Sequence, residues 1–335
     1  MNARNTLLAA SIIVAQLFCA MPGFAQVVRK SDGDAAVASN VPAYEWRDEE
    51  RAPKAAVVLV HGFTQEALAC DALARTLARR QYLVLSMDQR GHGQWYYDKH
   101  RSAGAKADFA SGIADLDNLC HAVRRQNPGL PLFCIGESCG SALVTQTLAR
   151  DSELANGIVL CSPGTRPRVY SLYWVVHDFI CNGFRLNRQV DIRRYIKRYA
   201  SNDPRVTDEM LNDPLSRGYM SGHELFGTVA FLYRTQAAAK HVRSDIPLMV
   251  VQGSRDQILA TSTVPELIKR FKTTDKEILV LPNCGHVLIG TSFVPPAVSD
   301  GIVQWLDSQV TVQVSDRSQL AGNSVAVQIQ PTRIP

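Results

Sequence analysis

The sequence predicts an α/β fold: a mostly parallel central sheet with helices on both faces and an inserted helical cap. Three observations carry this. Short apolar runs rich in β-branched residues recur from Ala55 onward, the near-continuous pattern of strands buried on both faces. Amphipathic stretches of helical period lie between them. Glycine-bearing segments rich in reactive side chains follow several of these runs, and on such sheets ligands bind at the carboxyl ends of the strands.

Taken in order, residues 55–60 (AAVVLV) read as a strand and 67–80 as a helix, with 82–87 (YLVLSM) the next strand. Within 107–127, Phe109, Ile113, Leu116, Leu119 and Val123 recur at helical spacing. A strand over 131–135 (PLFCI), a helix over 139–150 and a strand over 157–161 (GIVLC) follow, and later strands cover 247–252 and 277–281. The rhythm breaks over 162–245, which shows helical patterns and no clear strand. One such pattern, 190–199, sets Val190, Ile192, Tyr195, Ile196 and Tyr199 against Arg193, Arg194, Lys197 and Arg198. This stretch is the expected cap, between core segments 44–161 and 246–308. The tail, 309–335, is expected to be disordered or an edge strand.

The first 25 residues read as a targeting segment. Arg4 precedes an apolar run from Leu7 to Phe18, and Gly23-Phe24-Ala25 offers small residues at the −3 and −1 positions of a cut after Ala25. The run is shorter than the roughly 20 residues that span a bilayer. A cleaved leader is therefore expected over an uncleaved anchor, with the mature chain secreted or periplasmic. Its loss lowers the net charge from +5 to +4, too diluted for a nucleic-acid partner. Seven cysteines remain, an odd number. Cys134 and Cys161 fall inside apolar strands, where a small buried thiol is expected. No CxxC or HExxH occurs, and no metal or other cofactor is implied.

The central signal is Gly136-Glu137-Ser138-Cys139-Gly140. A serine hydroxyl needs a base to become a nucleophile, and a sharp strand-to-helix turn projects it toward one. Glycines two residues away on either side relieve the crowding of that turn. With Gly near 7% of residues, roughly one chain in ten of this length would match by chance, so the position between strand and helix is what gives the pattern weight. Asp256, in Gly253-Ser254-Arg255-Asp256, and His286, in Cys284-Gly285-His286, follow later strands in the order serine, acid, histidine. His286 would take the Ser138 proton and return it to the leaving group, while Asp256 fixes its tautomer. Backbone N–H groups of Cys139 and Phe63 are the expected oxyanion donors, with Gly62 permitting close approach and His61 bracing the loop. In Asp88-Gln89-Arg90-Gly91-His92-Gly93, Asp88 and Arg90 read as structural hydrogen-bonders. Cys139 and Cys284 read as packing residues, since neither has its own base.

With VLVHGF, DQRGHG, GESCG, GSRDQ and CGH in this order and spacing, the chain resembles the α/β-hydrolases related to monoacylglycerol lipases and lysophospholipases, a group often labelled serine aminopeptidase-like. The resemblance covers about residues 44 to 308, and Asn212-Asp213-Pro214-Leu215 looks like a cap element of that group. It implies Ser138, Asp256 and His286 as the triad, with Phe63 and Cys139 as oxyanion donors. Two departures stand out: Phe63-Thr64-Gln65-Glu66 replaces the usual Glu-His continuation of the HG motif, and the turn carries Glu137, Cys139 and Ser141 where other residues are usual.

From Pro163 to Arg205 nine Lys or Arg face three acids, interleaved with Tyr170, Tyr173, Trp174, Val175, Val176, Phe179, Ile180 and Phe184. Such a lid fits an acyl chain inside and an anionic membrane surface outside; an ordinary cap with solvated charges has the same pattern. The expected activity is hydrolysis of lipophilic carboxylic esters through a Ser138 acyl-enzyme. An aminopeptidase or amidase on the same scaffold is the alternative, and would need an acidic anchor for the substrate amine, with Glu66, Asp178 and Glu224 as candidates. A non-catalytic binding protein of this fold is a third reading, which the complete Ser, Asp and His set opposes.

Overall fold

The computed structural model describes residues 26–325 except 174, 175, 178, 179 and 181–184; the expected leader, Asp178 and Cys181 lie outside the described residues. Strands β1 (Val27–Ser31), β2 (Ala43–Asp48), β3 (Ala55–Val60), β4 (Tyr82–Met87), β5 (Leu132–Glu137), β6 (Gly157–Cys161), β9 (Leu248–Gly253) and β10 (Lys276–Leu281) form one sheet in the order β1-β2-β4-β3-β5-β6-β9-β10. The pairs β1·β2 and β2·β4 are antiparallel, and every other pair is parallel.

Alternation along the central strands explains why their sequences are apolar throughout. Ala56, Val58 and Val60 of β3 join one core cluster, Ala55, Val57 and Leu59 the other. Leu248 and Val250 of β9 divide from Met249 and Val251 in the same way. Successive side chains point to opposite faces, and each face is covered. Helices Phe109–Gln126 and Cys139–Leu148 cover the first, through Leu116, Leu119 and Leu143. Helices Asp71–Arg79 and Pro296–Val325 cover the second, through Leu73, Leu77, Ile302 and Trp305. Truncating a fully buried residue such as Leu59 to Ala costs about 2–5 kcal/mol.

Four elements depart from the sequence reading. The sheet begins at Val27 rather than near residue 44, because β1 and β2 form an antiparallel edge whose burial does not alternate cleanly. The described part of the tail forms no edge strand: the last helix continues past Gln309 to Val325. Within the expected cap, the reading of no strand fails. Strands β7 (Gln189–Asp191) and β8 (Tyr219–Ser221) pair antiparallel there, each too short to show a period. The predicted 190–199 helix accordingly starts at Arg193 and ends at Tyr199.

The 162–245 stretch also divides in two. Val190, Ile192, Ile196, Val206, Met210 and Met220 make a small core of their own with Val287. Helix Gly222–Ala239 instead packs on the main core: Phe231 stacks on Phe109 with ring centroids 4.2 Å apart, and Leu232 and Ala239 join the first face. Its start is locked by a capping box between Ser221 and Glu224.

Candidate active site

Ser138 follows β5 directly, in a backbone conformation with φ 56° and ψ −114°. Only a position held from all sides keeps a non-glycine residue there. Ser138 N–H donates to Cys161 O (2.8 Å), and the Ser141 hydroxyl, in place of the usual glycine, donates to Gly136 O (2.7 Å). Two glycines are obligatory for steric reasons. A Cβ on Gly136 would lie 2.4 Å from Gly140 O, and one on Gly140 would lie 2.2 Å from Val60 O. The turn is thus wedged against the end of β3.

The structure brings Ser138, His286 and Asp256 together at the carboxyl ends of β5, β10 and β9. Ser138 Oγ lies 2.7 Å from His286 Nε2, and His286 Nδ1 lies 2.7 Å from Asp256 Oδ2. The other Asp256 oxygen accepts N–H bonds from Ile258 (2.9 Å) and Leu259 (3.0 Å). Burial alone would raise the Asp256 pKa, but the facing imidazole and these two N–H groups outweigh it and hold the carboxyl below its ordinary value. Burial would likewise depress His286, yet Asp256 and, more weakly, Glu137 raise its pKa above the usual 6.5. The array can therefore hold an imidazolium while Ser138 Oγ gives up its proton.

Phe63 and Cys139 line the same cavity as Ser138 and His286. A side chain on Gly62 would reach to 3.7 Å of Ser138 Cβ, which shows how closely the Phe63 loop passes the serine. His61 braces that loop, as expected: its Nδ1 lies 2.7 Å from Gly62 O, and Gln89 N–H donates to its Nε2 (3.1 Å). Burial lowers its pKa to about 4, so the ring is neutral and serves both bonds. Asp88 accepts from Ala67 N and Gln94 N, and Arg90 grips Asp115 with two bonds, the structural roles assigned to both. Burial pushes the Cys139 thiol up to about 12 and raises that of Cys284, which suits packing. Cys134 and Cys161 are buried free thiols.

Glu137 is the residue whose role the sequence hid. Its buried carboxylate accepts N–H bonds from Leu288 (2.6 Å), Ile289 (2.8 Å) and Gly290 (3.0 Å), directly after His286. Burial raises its pKa, and the three N–H donors offset this in part. The Gln65 amide donates to Gly290 O, joining the Phe63 loop to the same segment. From the other side the cap holds it: Val287 N–H donates to Ala200 O (3.0 Å), and Ser292 N–H to Glu209 (3.0 Å). The available signal was an acid next to the serine inside an otherwise apolar strand end.

The cavity over Ser138 is walled by the cap and the long helix, through Ile192, Tyr195, Ile196, Met210, Leu225 and Leu232. Glu137 is its one acidic lining residue among those described, and its carboxylate is taken up by backbone donors. Glu224 is not available either: it pairs with buried Arg217 (2.7 Å), which also donates to Gly91 O, and its pKa falls to about 2 although burial opposes this. Glu66 accepts from Leu68 N (2.7 Å) and is buried, which raises its pKa to about 8.

Over residues 51–291 the chain matches the family described as "Serine aminopeptidase, S33". Monoglyceride lipase of Rattus norvegicus is 25% identical over 279 residues, spanning 81% of this chain and 85% of its own length. Monoacylglycerol lipase of Mycolicibacterium smegmatis is 24% identical over 271 residues, spanning 77% and 90%. The solved structure of a soluble variant of monoglyceride lipase from Saccharomyces cerevisiae, in complex with a substrate analogue, superposes with a TM-score of 0.66 at 18% identity, covering 80% of this chain and 91% of that one. The sheet order, the serine-bearing turn and these matches agree: the chain is a hydrolase of the α/β-hydrolase fold and belongs to the serine aminopeptidase S33 family.

Proposed function

We propose that the protein hydrolyses carboxylic esters of lipophilic substrates, of monoacylglycerol or lysophospholipid type, through an acyl-enzyme on Ser138. The observation that carries this is the continuous chain of two 2.7 Å contacts from Ser138 through His286 to Asp256 at an apolar cavity. In this reading Ser138 Oγ attacks the ester carbonyl carbon as its proton passes to His286 Nε2. Phe63 and Cys139 N–H groups bind the resulting oxyanion. Collapse breaks the bond to the alcohol oxygen, which leaves with the proton from His286. Water then gives its proton to His286 and releases the acid, and the same proton restores Ser138.

An acyl chain fits walls built from Ile192, Ile196, Met210, Leu225 and Leu232. A peptide N-terminus would need an unpaired carboxylate; of the candidates among the described residues, Glu66 and Glu224 are each engaged elsewhere, and Glu137 is held by three N–H groups. This supports the ester reading over the aminopeptidase that the family description names. With residues 1–25 read as a cleavable leader, the reaction is proposed to occur outside the cytoplasm. The test compares p-nitrophenyl esters of rising chain length with aminoacyl-nitroanilides. Ester turnover that improves with chain length is expected; turnover of the anilides alone would overturn the proposal.

A further inference from the structure

The outer surface of the cap carries an open groove beside the catalytic cavity, walled by Tyr170, Tyr173, Val176, Arg194, Lys197 and Arg198. Helix Arg193–Tyr199 separates the two spaces. Its Tyr195 and Ile196 line the cavity that holds Ser138, while Arg194, Lys197 and Arg198 line the groove. Val176 belongs to both walls, so the groove adjoins the cavity.

Among the described residues Asp191 senses the charge of Arg194, but it is held by Arg193. Arg193 is paired with Asp191 (2.6 Å) and Arg166 with Glu266 (3.6 Å), whereas Arg194, Lys197 and Arg198 make no ion pair with any described residue, and no acid lines the groove among the described residues. Arg194 stands three and four residues before Lys197 and Arg198, the spacing at which like charges on a helix repel. An isolated surface helix is more stable without such a triplet, and a bound anion would relieve it. Tyr170 and Tyr173, both about half exposed, supply amphipathic walls beside the cations.

We propose that this groove is a subsite for the phosphate-bearing headgroup of a single-chain lipid substrate, whose acyl chain occupies the cavity and whose ester lies at Ser138. The inference rests on the ester-hydrolase reading and narrows it to anionic lysophospholipids over neutral monoacylglycerols.

The test uses dodecanoyl lysophosphatidylglycerol and monododecanoylglycerol, both kept monomeric, with the whole protein and its R194Q/K197Q/R198Q variant. The wild type should favour the anionic ester in kcat/KM. The variant should lower the anionic-to-neutral ratio about tenfold, through KM, and salt between about 0.05 and 0.5 M should erode the wild-type ratio, as screening of exposed charges requires. An unchanged ratio in the variant overturns the subsite. So does a loss seen only on vesicles containing anionic phosphatidylglycerol, which would make the surface a membrane dock. If the wild type cleaves neither ester, the ester-hydrolase reading itself falls. Cleavage of the neutral ester without an anionic preference leaves that reading standing and removes only the subsite.

Discussion

Replacing Glu137 with glutamine separates a positioning role from mere filling of space, because the two side chains have nearly the same shape. The carboxylate accepts three N–H bonds of 2.6, 2.8 and 3.0 Å from the residues just after His286. Bonds to a charged acceptor contribute about 1.5–3 kcal/mol each, roughly twice the neutral kind. The glutamine oxygen can keep the Leu288 and Ile289 bonds at neutral strength, but its NH2 group would face Gly290 N–H, donor against donor. Relief from burying a charge offsets part of the loss, leaving about 2–4 kcal/mol of destabilisation. A small shift of the His286 segment should lower kcat about 10- to 100-fold with KM little changed. There is a second, electrostatic readout. The Glu137 charge helps raise the His286 pKa, so removing it should lower that pKa and move the acid limb of kcat/KM to lower pH. Hydrolysis of p-nitrophenyl butyrate across pH, with urea unfolding alongside, measures both. A variant with wild-type kcat and an unmoved acid limb would refute the argument.

The remaining predictions concern the frame around the site. Arg217→Met should cost about 3–5 kcal/mol in urea unfolding, because it strands buried Glu224 without its partner. The same pair sets an acid dependence: the Glu224 pKa lies at about 2, below its ordinary 4.5, so its stabilisation is full above about pH 4.5 and is lost as pH falls toward 2. The slope of stability against pH in that window should be shallower in the Arg217 variant than in the wild type. Gly140→Ala should abolish soluble folding or activity, since its Cβ would stand 2.2 Å from Val60 O; an active, stable variant would mean the turn is not wedged as described. Cys139→Ala should keep activity within about threefold, because in the proposed mechanism the residue acts through its backbone N–H, and its buried thiol is inert. Loss of activity would mean that the sulfur itself takes part.

The parallel core was legible because its central strands are buried on both faces and so are apolar at almost every position: 55–60 and 82–87 were read to the residue. The candidate site was legible because Ser138 and Asp256 fall just past such strands and His286 follows β10, a half-exposed strand whose sequence is still largely apolar. Local signals failed where tertiary partners decide the structure. Strands β1 and β2 carry Arg, Lys and Glu on an exposed edge and take their form from pairing. Strands β7 and β8 have three residues each, less than any periodicity can reveal. The last helix runs on past Gln309 although its sequence turns polar with alternating valines, which mimics an edge strand. Glu137 was invisible for a related reason: its partners are backbone N–H groups about 150 residues away, and no side-chain pattern announces them.

The central claim is that Ser138 is a nucleophile made reactive by His286 and Asp256. Treating the folded protein with a fluorophosphonate probe and mapping the adduct by mass spectrometry tests it directly. The account predicts one adduct, on Ser138, absent from Ser138→Ala and formed at least about 100-fold more slowly in His286→Ala. A folded wild-type protein that takes up no label, or takes it up on another residue, would contradict it.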